Sequence, residues 1–197
     1  TRGERSDKAG VVYAGLGTII MERTEDGRVV RTSEKRLRIL DAFDIASTQS
    51  DLVEHVLNYS QIHQVDHVLV ETRSGFHGTA DMFENYHGIQ VRRLDPKSQK
   101  KEERLRAAAP AIDDSSAGTG IRAVVEFPGV WDEGGTKLVL DPRFKDLSDQ
   151  VIDFGVCPRD HGVDALAQLV NDLMPELGVG RGLVSQLVKQ AEKPAKD

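Results

Sequence analysis

The sequence contains a single cysteine, Cys157, among 197 residues. One thiol cannot form an intramolecular disulfide, and it cannot supply a zinc site that needs several thiolates. No apolar run approaches the ~20 residues that cross a bilayer, and the first residues lack the apolar core of a signal peptide. These absences predict a soluble, unexported protein that resides in a reducing cytoplasm.

The chain also lacks an excess of positive charge, since its formal net charge is −6. Such a chain has no bulk attraction to nucleic acid or to anionic lipid, so any contact with DNA must come from a local basic patch. Hydrophobic residues make up 39% of the sequence, which is enough for one α/β domain with a single core. We therefore expect one domain over residues 1–178 and a C-terminal tail over residues 179–197.

The first third of the sequence predicts a small sheet followed by a helix. Extended segments over 10–20, after the turn at 25–27, and over 37–45 suggest an antiparallel meander of three strands. Thr48 and Asp51 resemble a capping box, and the apolar positions that follow have helical spacing to about residue 62.

The rest of the chain alternates between strands and helices. A strand over 65–71, a helix that stops at Gly88, a strand over 89–94 and a basic helix over 100–109 ended by Pro110 come first. Segments 122–127 and 137–140 are expected to form a hairpin with a long connection, before helices over 144–154 and 162–174. This order predicts an α/β fold, a mixed β-sheet with helices on its faces.

Three carboxylates occupy positions that suit a metal site. Glu71 directly follows a strand, and ligands of α/β sheets collect at the carboxyl ends of strands. Asp160 and Asp164 lie four residues apart at a helix start, so they share one face if both are helical. Mg²⁺ and Mn²⁺ prefer such oxygen ligands, and bound in this way they activate water for attack on a phosphodiester. A solvated glutamate at 71 and a helix N-cap at 160 are the alternatives.

Positive charge is concentrated near the basic helix. The residues concerned are Arg92, Arg93, Lys97, Lys100, Lys101, Arg104 and Arg106. Basic side chains along one side of a helix can hold phosphates, and Arg73 lies two residues beyond Glu71, within reach of a neighbouring phosphate. The predicted DNA contacts are Arg73, Lys97, Lys100, Lys101 and Arg104. Because Glu102 and Glu103 interleave with them, a solvated helix face is the alternative.

Four stretches resemble, in matching order, motifs of the nuclease domain of large terminase subunits from tailed bacteriophages. They are Gly3-Glu4-Arg5-Ser6-Asp7-Lys8-Ala9-Gly10-Val11-Val12-Tyr13-Ala14-Gly15, Val68-Leu69-Val70-Glu71, the stretch from Lys97 through Arg106 that leads into Ala-Ala-Ala-Pro, and Phe154-Gly155 with Asp160-His161-Gly162-Val163-Asp164-Ala165-Leu166. The resemblance covers roughly residues 3–174, which makes it more specific than any one motif.

The resemblance implies a ribonuclease H-like fold that cuts concatemeric double-stranded viral DNA during genome packaging with two Mg²⁺ or Mn²⁺ ions. By the same resemblance, Glu71, Asp160 and Asp164 are catalytic residues and metal ligands. It also implies an upstream ATPase motor domain, a small terminase subunit and a portal as partners, no membrane, and the cytoplasm of the infected host cell as the location. The chain contains no Gly-x-x-x-x-Gly-Lys-Ser/Thr string, so the motor would lie outside this sequence.

The sequence departs from the family pattern at two positions. The family's first catalytic aspartate, typically in an Asp-Pro-Ala string, falls upstream of Thr1, and Asp7 falls later in the pattern. His161 stands where many relatives carry a second aspartate; it is either a metal ligand or a loop residue. Two other functions stay open: a Holliday-junction resolvase-like nuclease of the same fold class, and a non-catalytic module that binds DNA or the portal.

Overall fold

The computed structural model describes residues 8–25, 28–46, 48–72, 77–87, 89–95, 99–112, 124–135, 137–153 and 160–177. They form a mixed α/β structure, and none of its helices is both long and apolar enough to cross a membrane. The elements in chain order are β1 (Lys8–Glu25), β2 (Arg28–Ala46), α1 (Gln49–His63), β3 (His67–Glu71), α2 (His77–His87), β4 (Gln90–Leu94), α3 (Lys101–Ile112), β5 (Val125–Glu126), β6 (Gly129–Trp131), β7 (Leu138–Leu140), α4 (Lys145–Ile152) and α5 (His161–Leu173).

The first two strands are long and pair antiparallel over their whole length, from Lys8 opposite Ala46 to Glu25 opposite Arg28. The predicted meander of three strands is therefore wrong, because the second and third extended segments form the single strand β2. Pairing with β1 gives β2 a continuous ladder of hydrogen bonds along one edge, so nothing requires a turn between the two segments.

A β-bulge interrupts this pairing once. Tyr13 and Ala14 are consecutive in β1, yet their partners are Asp41 and Ile39, so Leu40 is an extra residue in β2. One extra residue shifts the alternation of side chains between the two faces. The residues of β2 that face helices α3, α4 and α5 are therefore odd-numbered before the bulge and even-numbered after it. They are Leu37, Ile39 and Ala42.

The shorter strands pair locally. β5 joins β2 in parallel, β3 pairs in parallel with β4, and β6 pairs antiparallel with β7. The predicted hairpin between 122–127 and 137–140 is wrong, because Leu138–Leu140 pairs with Gly129–Trp131 instead. Gly129–Trp131 is closer in sequence to Leu138–Leu140, so a short connection joins the two strands. Val125 pairs with β2 instead and is buried there.

Buried side chains form two clusters in place of the single core expected from the composition. One lies between β2 and helices α3, α4 and α5, and the other lies between α1, α2 and β3. Strand β1 contributes to both, with Val12 and Ala14 against the first cluster and Ala9 and Val11 against the second. Because successive residues of a strand point to opposite faces, β1 separates the two clusters.

Helix α1 is confirmed with its capping box, in which Thr48 and Asp51 bond to each other's backbone N–H groups. Helix α3, however, continues to Ile112, so the prediction that Pro110 ends it is wrong. Proline removes one hydrogen bond of the helix. The last turn is held by tertiary contacts, since Ala111 is fully buried and its carbonyl accepts a 2.8 Å hydrogen bond from the backbone N–H of Val124.

Strand β1 passes directly against the start of α5. A Cβ atom at Gly10 would lie 2.1 Å from the backbone oxygen of His161, which is closer than any real contact. At Gly17 a Cβ atom would meet no heavy atom within 4 Å. Glycine at position 10 is therefore required by the packing of α5, whereas glycine at position 17 is not.

We expect Gly10→Ala to lower the free energy of unfolding by about 3 kcal/mol, because backbone must move to admit the new methyl group. Gly17→Ala is the matched control, and its effect should stay within about 0.5 kcal/mol. Urea denaturation of both variants measures the difference. Equal stabilities for the two would contradict the close packing of β1 on α5.

An aromatic group lies on the α1 side of β1. The rings of Tyr13 and Tyr59 stack with centroids 3.5 Å apart, and Phe43 lies 5.9 Å from Tyr13. The hydroxyl of Tyr13 is buried and has no hydrogen-bond partner among the described residues. Burial raises the pKa of Tyr13 above its ordinary value of 10.0, and the neighbouring Tyr59 and Asp41 raise it further.

This pKa shift makes stability depend on alkaline pH. Below about pH 10 the phenol is neutral in both states; above it the unfolded chain ionises first, so stability should fall as the pH rises. Tyr13→Phe should remove this contribution and also raise stability by about 1 kcal/mol at neutral pH, since it deletes an unsatisfied hydroxyl. Urea unfolding near pH 8 and above pH 10 measures both effects. A Tyr13→Phe protein that is less stable than wild type near pH 8 would refute the unsatisfied hydroxyl.

Candidate functional site

The first turn of α5 is held by the side chain of Gln150 from α4. Gln150 is 3% exposed, and its Oε1 accepts hydrogen bonds from the backbone N–H groups of Gly162, at 3.0 Å, and Val163, at 3.2 Å. The start of a helix leaves such groups without partners inside the helix. Gln150 therefore caps the N-terminus of α5 from another helix. No local sequence pattern predicts this contact.

The amide nitrogen of Gln150 points to two carboxylates. It donates to Asp146, at 3.4 Å, and to Oδ2 of Asp44 in β2, at 3.5 Å. The second oxygen of Asp44, Oδ1, is buried and has no hydrogen-bond partner among the described residues. No local sequence pattern predicts that Asp44, in β2, lies close to the helix that precedes α5.

Asp160 occupies the N-cap position of α5, as its alternative interpretation predicts, but its side chain makes no capping hydrogen bond. Instead, Oδ1 of Asp160 accepts a 2.9 Å hydrogen bond from Nζ of Lys101 in α3. Both side chains are partly exposed, at 32% and 40%. A pair this open to solvent contributes about 1 kcal/mol or less to stability.

Asp164 lies in the first turn of α5 and is buried against Arg104 of α3. The Nε atom of Arg104 donates to Oδ1 at 2.9 Å, and Nη2 donates to Oδ1 at 2.7 Å and to Oδ2 at 2.6 Å. Each side chain is 8% exposed. Nη1 of Arg104 also donates to the carbonyl of Gln99, at 2.9 Å, so the guanidinium is bound on two sides. This ion pair fastens α3 to α5.

Glu71 reaches the same helix from the end of β3. Its Oε2 accepts a 2.8 Å hydrogen bond from Nε2 of Gln168, and Glu71 is half-buried. Gln168 lies four residues after Asp164, so the two side chains occupy neighbouring positions on one face of α5. The fold thus brings the strand-end carboxylate to the helix that carries the two aspartates.

The predicted DNA contacts divide into three groups. Lys101 and Arg104 form ion pairs with Asp160 and Asp164, so they contact the predicted metal ligands. Lys100 is exposed and directly precedes α3. Arg73 and Lys97 lie outside the described residues.

Two other basic residues of this region are tied to acidic neighbours. Arg92 bonds to Asp172 and Glu176, at 2.9 and 3.2 Å. Arg93 bonds to Asp81 and Glu84, and its hydrogen bonds hold the pKa of Glu84 below its ordinary value. Because both arginines are bound to carboxylates, they brace β4 against α5 and α2.

His161 and Asp7 are the remaining candidate residues. His161 is half-buried at the start of α5, where its backbone faces Gly10. Asp7 lies outside the residues that the structure describes.

The chemistry of Glu71, Asp160 and Asp164 fits a hard divalent cation, because such cations prefer carboxylate oxygens. Their arrangement is less favourable: within the described part of the chain, no three acidic, histidine or cysteine side chains lie close enough to hold a metal ion. Asp164 directs both oxygens to Arg104, and Asp160 directs one to Lys101. A metal ion at these aspartates would compete with two cationic side chains.

We expect a double-mutant cycle to measure the buried pair directly. Arg104→Met should cost about 3 kcal/mol, because it leaves the charge of Asp164 buried without a partner, while Arg104→Met with Asp164→Leu should cost much less. The matched control is the exposed pair Lys145 and Asp149, whose coupling should be about 0.5 kcal/mol or less. Equal coupling energies for the two pairs, measured by urea unfolding, would contradict the buried ion pair.

Comparison with known proteins assigns no family to this chain. No family model matches it, and no curated protein matches it significantly. The terminase resemblance therefore remains a prediction from the motifs around Glu71 and Asp164.

Proposed function

We propose that this chain is a metal-dependent endonuclease domain of the terminase type, with a ribonuclease H-like fold, that cuts concatemeric double-stranded DNA. The observation that supports it most is the hydrogen bond between Glu71 and Gln168, at 2.8 Å. It joins the strand-end carboxylate to the face of α5 that carries Asp164. This contact supports the proposal, because β3 and α5 are far apart in sequence and carry the second and third motifs.

In this proposal Glu71, Asp160 and Asp164 would hold Mg²⁺ or Mn²⁺, and the bound ion would supply activation of water and neutralisation of charge at the phosphodiester. Lys101 is 40% exposed and can exchange Asp160 for a phosphate oxygen. Arg104 is buried and donates three hydrogen bonds to Asp164, so a cation bound to Asp164 would have to share that carboxylate with a positively charged guanidinium.

The proposal extends to the partners and location implied by the motifs. They are an upstream ATPase motor, a small terminase subunit and a portal, in the cytoplasm of the infected host cell. A junction resolvase of the same fold class differs in substrate, because it would prefer a four-way junction to linear duplex.

A second candidate function is a non-catalytic module that contacts DNA or the portal. Two ion pairs favour it: Asp160 binds Lys101, and Asp164 binds Arg104. Both carboxylates, which a nuclease needs as metal ligands, are thus used to hold α5 against α3. On this alternative the acidic residues position α5 against α3 and take no part in chemistry.

A plasmid-nicking assay with Mn²⁺ separates the two functions. Glu71→Gln keeps an oxygen that can accept from Gln168 but removes the charge, so we expect nicking to fall about 100-fold or more without loss of folding. Glu126→Gln, at the end of β5, is the matched control and should nick at the wild-type rate. If Glu71→Gln nicks as fast as wild type, the nuclease proposal fails.

The substrate preference is measured in the same assay. Equal or faster cutting of linear duplex than of a four-way junction supports the terminase type, and strong preference for the junction supports the resolvase. A wild-type chain that binds DNA but does not nick it supports the non-catalytic module.

A further inference from the structure

The paired strands β1 and β2 extend beyond the bulge as a two-stranded ribbon, here called the arm, formed by residues 15–25 and 28–38. At ~3.3 Å per residue the arm is about 35 Å long. Most described side chains between residues 16 and 35 are exposed, including Ile20 at 70% and Val29 at 64%. Its base is paired with β5 at Leu37 and Arg38. The candidate nuclease site does not account for such a long exposed ribbon.

The arm is positively charged although the chain is acidic. It contains six basic and three acidic residues, a net charge of +3, against −6 for the whole chain. The basic residues are Arg23, Arg28, Arg31, Lys35, Arg36 and Arg38, and the acidic residues are Glu22, Glu25 and Glu34. Local charge of this sign attracts a polyanion.

The arginines are arranged on defined faces. Since side chains alternate along a strand, Arg28, Arg36 and Arg38 project from one face of the arm. Arg28 and Arg38 are exposed and form no ion pair with the described residues, whereas Arg31, on the opposite face, pairs with Glu22 at 2.7 Å. The most exposed apolar side chains, Ile20 and Val29, are also on that opposite face.

Glycines stand opposite two of these arginines. Gly15 pairs with Arg38 and Gly17 pairs with Arg36, so the four positions lie on the same face. A Cβ atom at Gly15 would meet only Leu40, at 3.7 Å, and one at Gly17 would meet nothing within 4 Å. Packing does not explain these glycines, and glycine inside a strand often marks a place where another backbone approaches closely.

We propose that this arginine and glycine face of the arm binds the sugar-phosphate backbone of double-stranded DNA. Arg28 and Arg38 lie ten residues apart, a span of about 33 Å, which is close to one turn of the duplex. The open glycine surface lets the DNA backbone approach Arg38, while Arg36 on the same face pairs with Glu34 at 2.8 Å. The choice of DNA among polyanions rests on the proposed function, whereas the charge and shape of the face do not.

The test is fluorescence anisotropy of the full chain with a labelled duplex of about 30 base pairs, in EDTA so that nothing is cut. Arg28→Gln with Arg38→Gln should weaken binding about 10-fold near 0.1 M salt and reduce the slope of log affinity against log salt by about 2. Glu22→Gln with Arg31→Gln is the matched control on the opposite face, and it should leave affinity and slope unchanged. Equal binding by the two double variants overturns the proposal.

Gly17→Val supplies an independent variant that removes no charge. It places a side chain in open space, so the free energy of unfolding should not fall, but binding should weaken several-fold because the backbone is held away. Wild-type affinity in this variant overturns the proposed contact face. The proposal is also overturned if the Arg28 and Arg38 double variant changes its oligomeric state while its affinity for DNA stays the same. The arm would then contact a second copy of the chain.

These measurements and the nicking assay can fail separately. Binding in EDTA needs no catalysis, so loss of arm-dependent binding refutes the arm whatever Glu71→Gln does. Nicking that is insensitive to Glu71→Gln refutes the nuclease while arm-dependent binding remains intact.

Discussion

The buried ion pair between Arg104 and Asp164 is the interaction on which the candidate site depends. Both side chains are 8% exposed, and three hydrogen bonds join them. Removing two charges from water costs several kcal/mol per ion, so such a pair is retained only where its geometry is good and its other polar groups are satisfied. Here the carbonyl of Gln99 accepts from the same guanidinium, and Asn171 donates to the backbone oxygen of Arg104 at 2.9 Å. The pair sets the position of α5 relative to α3.

Other contacts of α5 locate the rest of the site. Gln150 satisfies the backbone at its first turn, Gly10 lets β1 approach it, and Gln168 binds Glu71. The carboxylates therefore belong to one region because one helix contacts α3, α4, β1 and β3. The same contacts disfavour a metal site, since a cation at Asp164 would lie beside the buried positive charge of Arg104.

The charged residues of this protein act mainly on their near neighbours. Around α5, arginines and lysines meet carboxylates of neighbouring elements, which leaves little positive charge there for a ligand. On the arm, Arg28 and Arg38 have no such partners among the described residues. An acidic chain can thus present a basic surface, because salt screens electrostatic attraction beyond about 10 Å at 0.1 M and nearby charges dominate.

The sequence by itself determined the elements whose signals are local. The capping box at Thr48, the apolar spacing of α5 and the short strand that ends at Glu71 all depend on residues within a few positions of one another. Only the tertiary structure decided that β2 is one strand, that Leu138–Leu140 pairs with Gly129–Trp131, and that α3 continues past Pro110. It also decided the partners of Lys101 and Arg104, which lie about sixty positions from Asp160 and Asp164. A basic helix face has the same pattern whether its charges meet phosphate or carboxylate, so the pairing is settled only when α3 packs on α5.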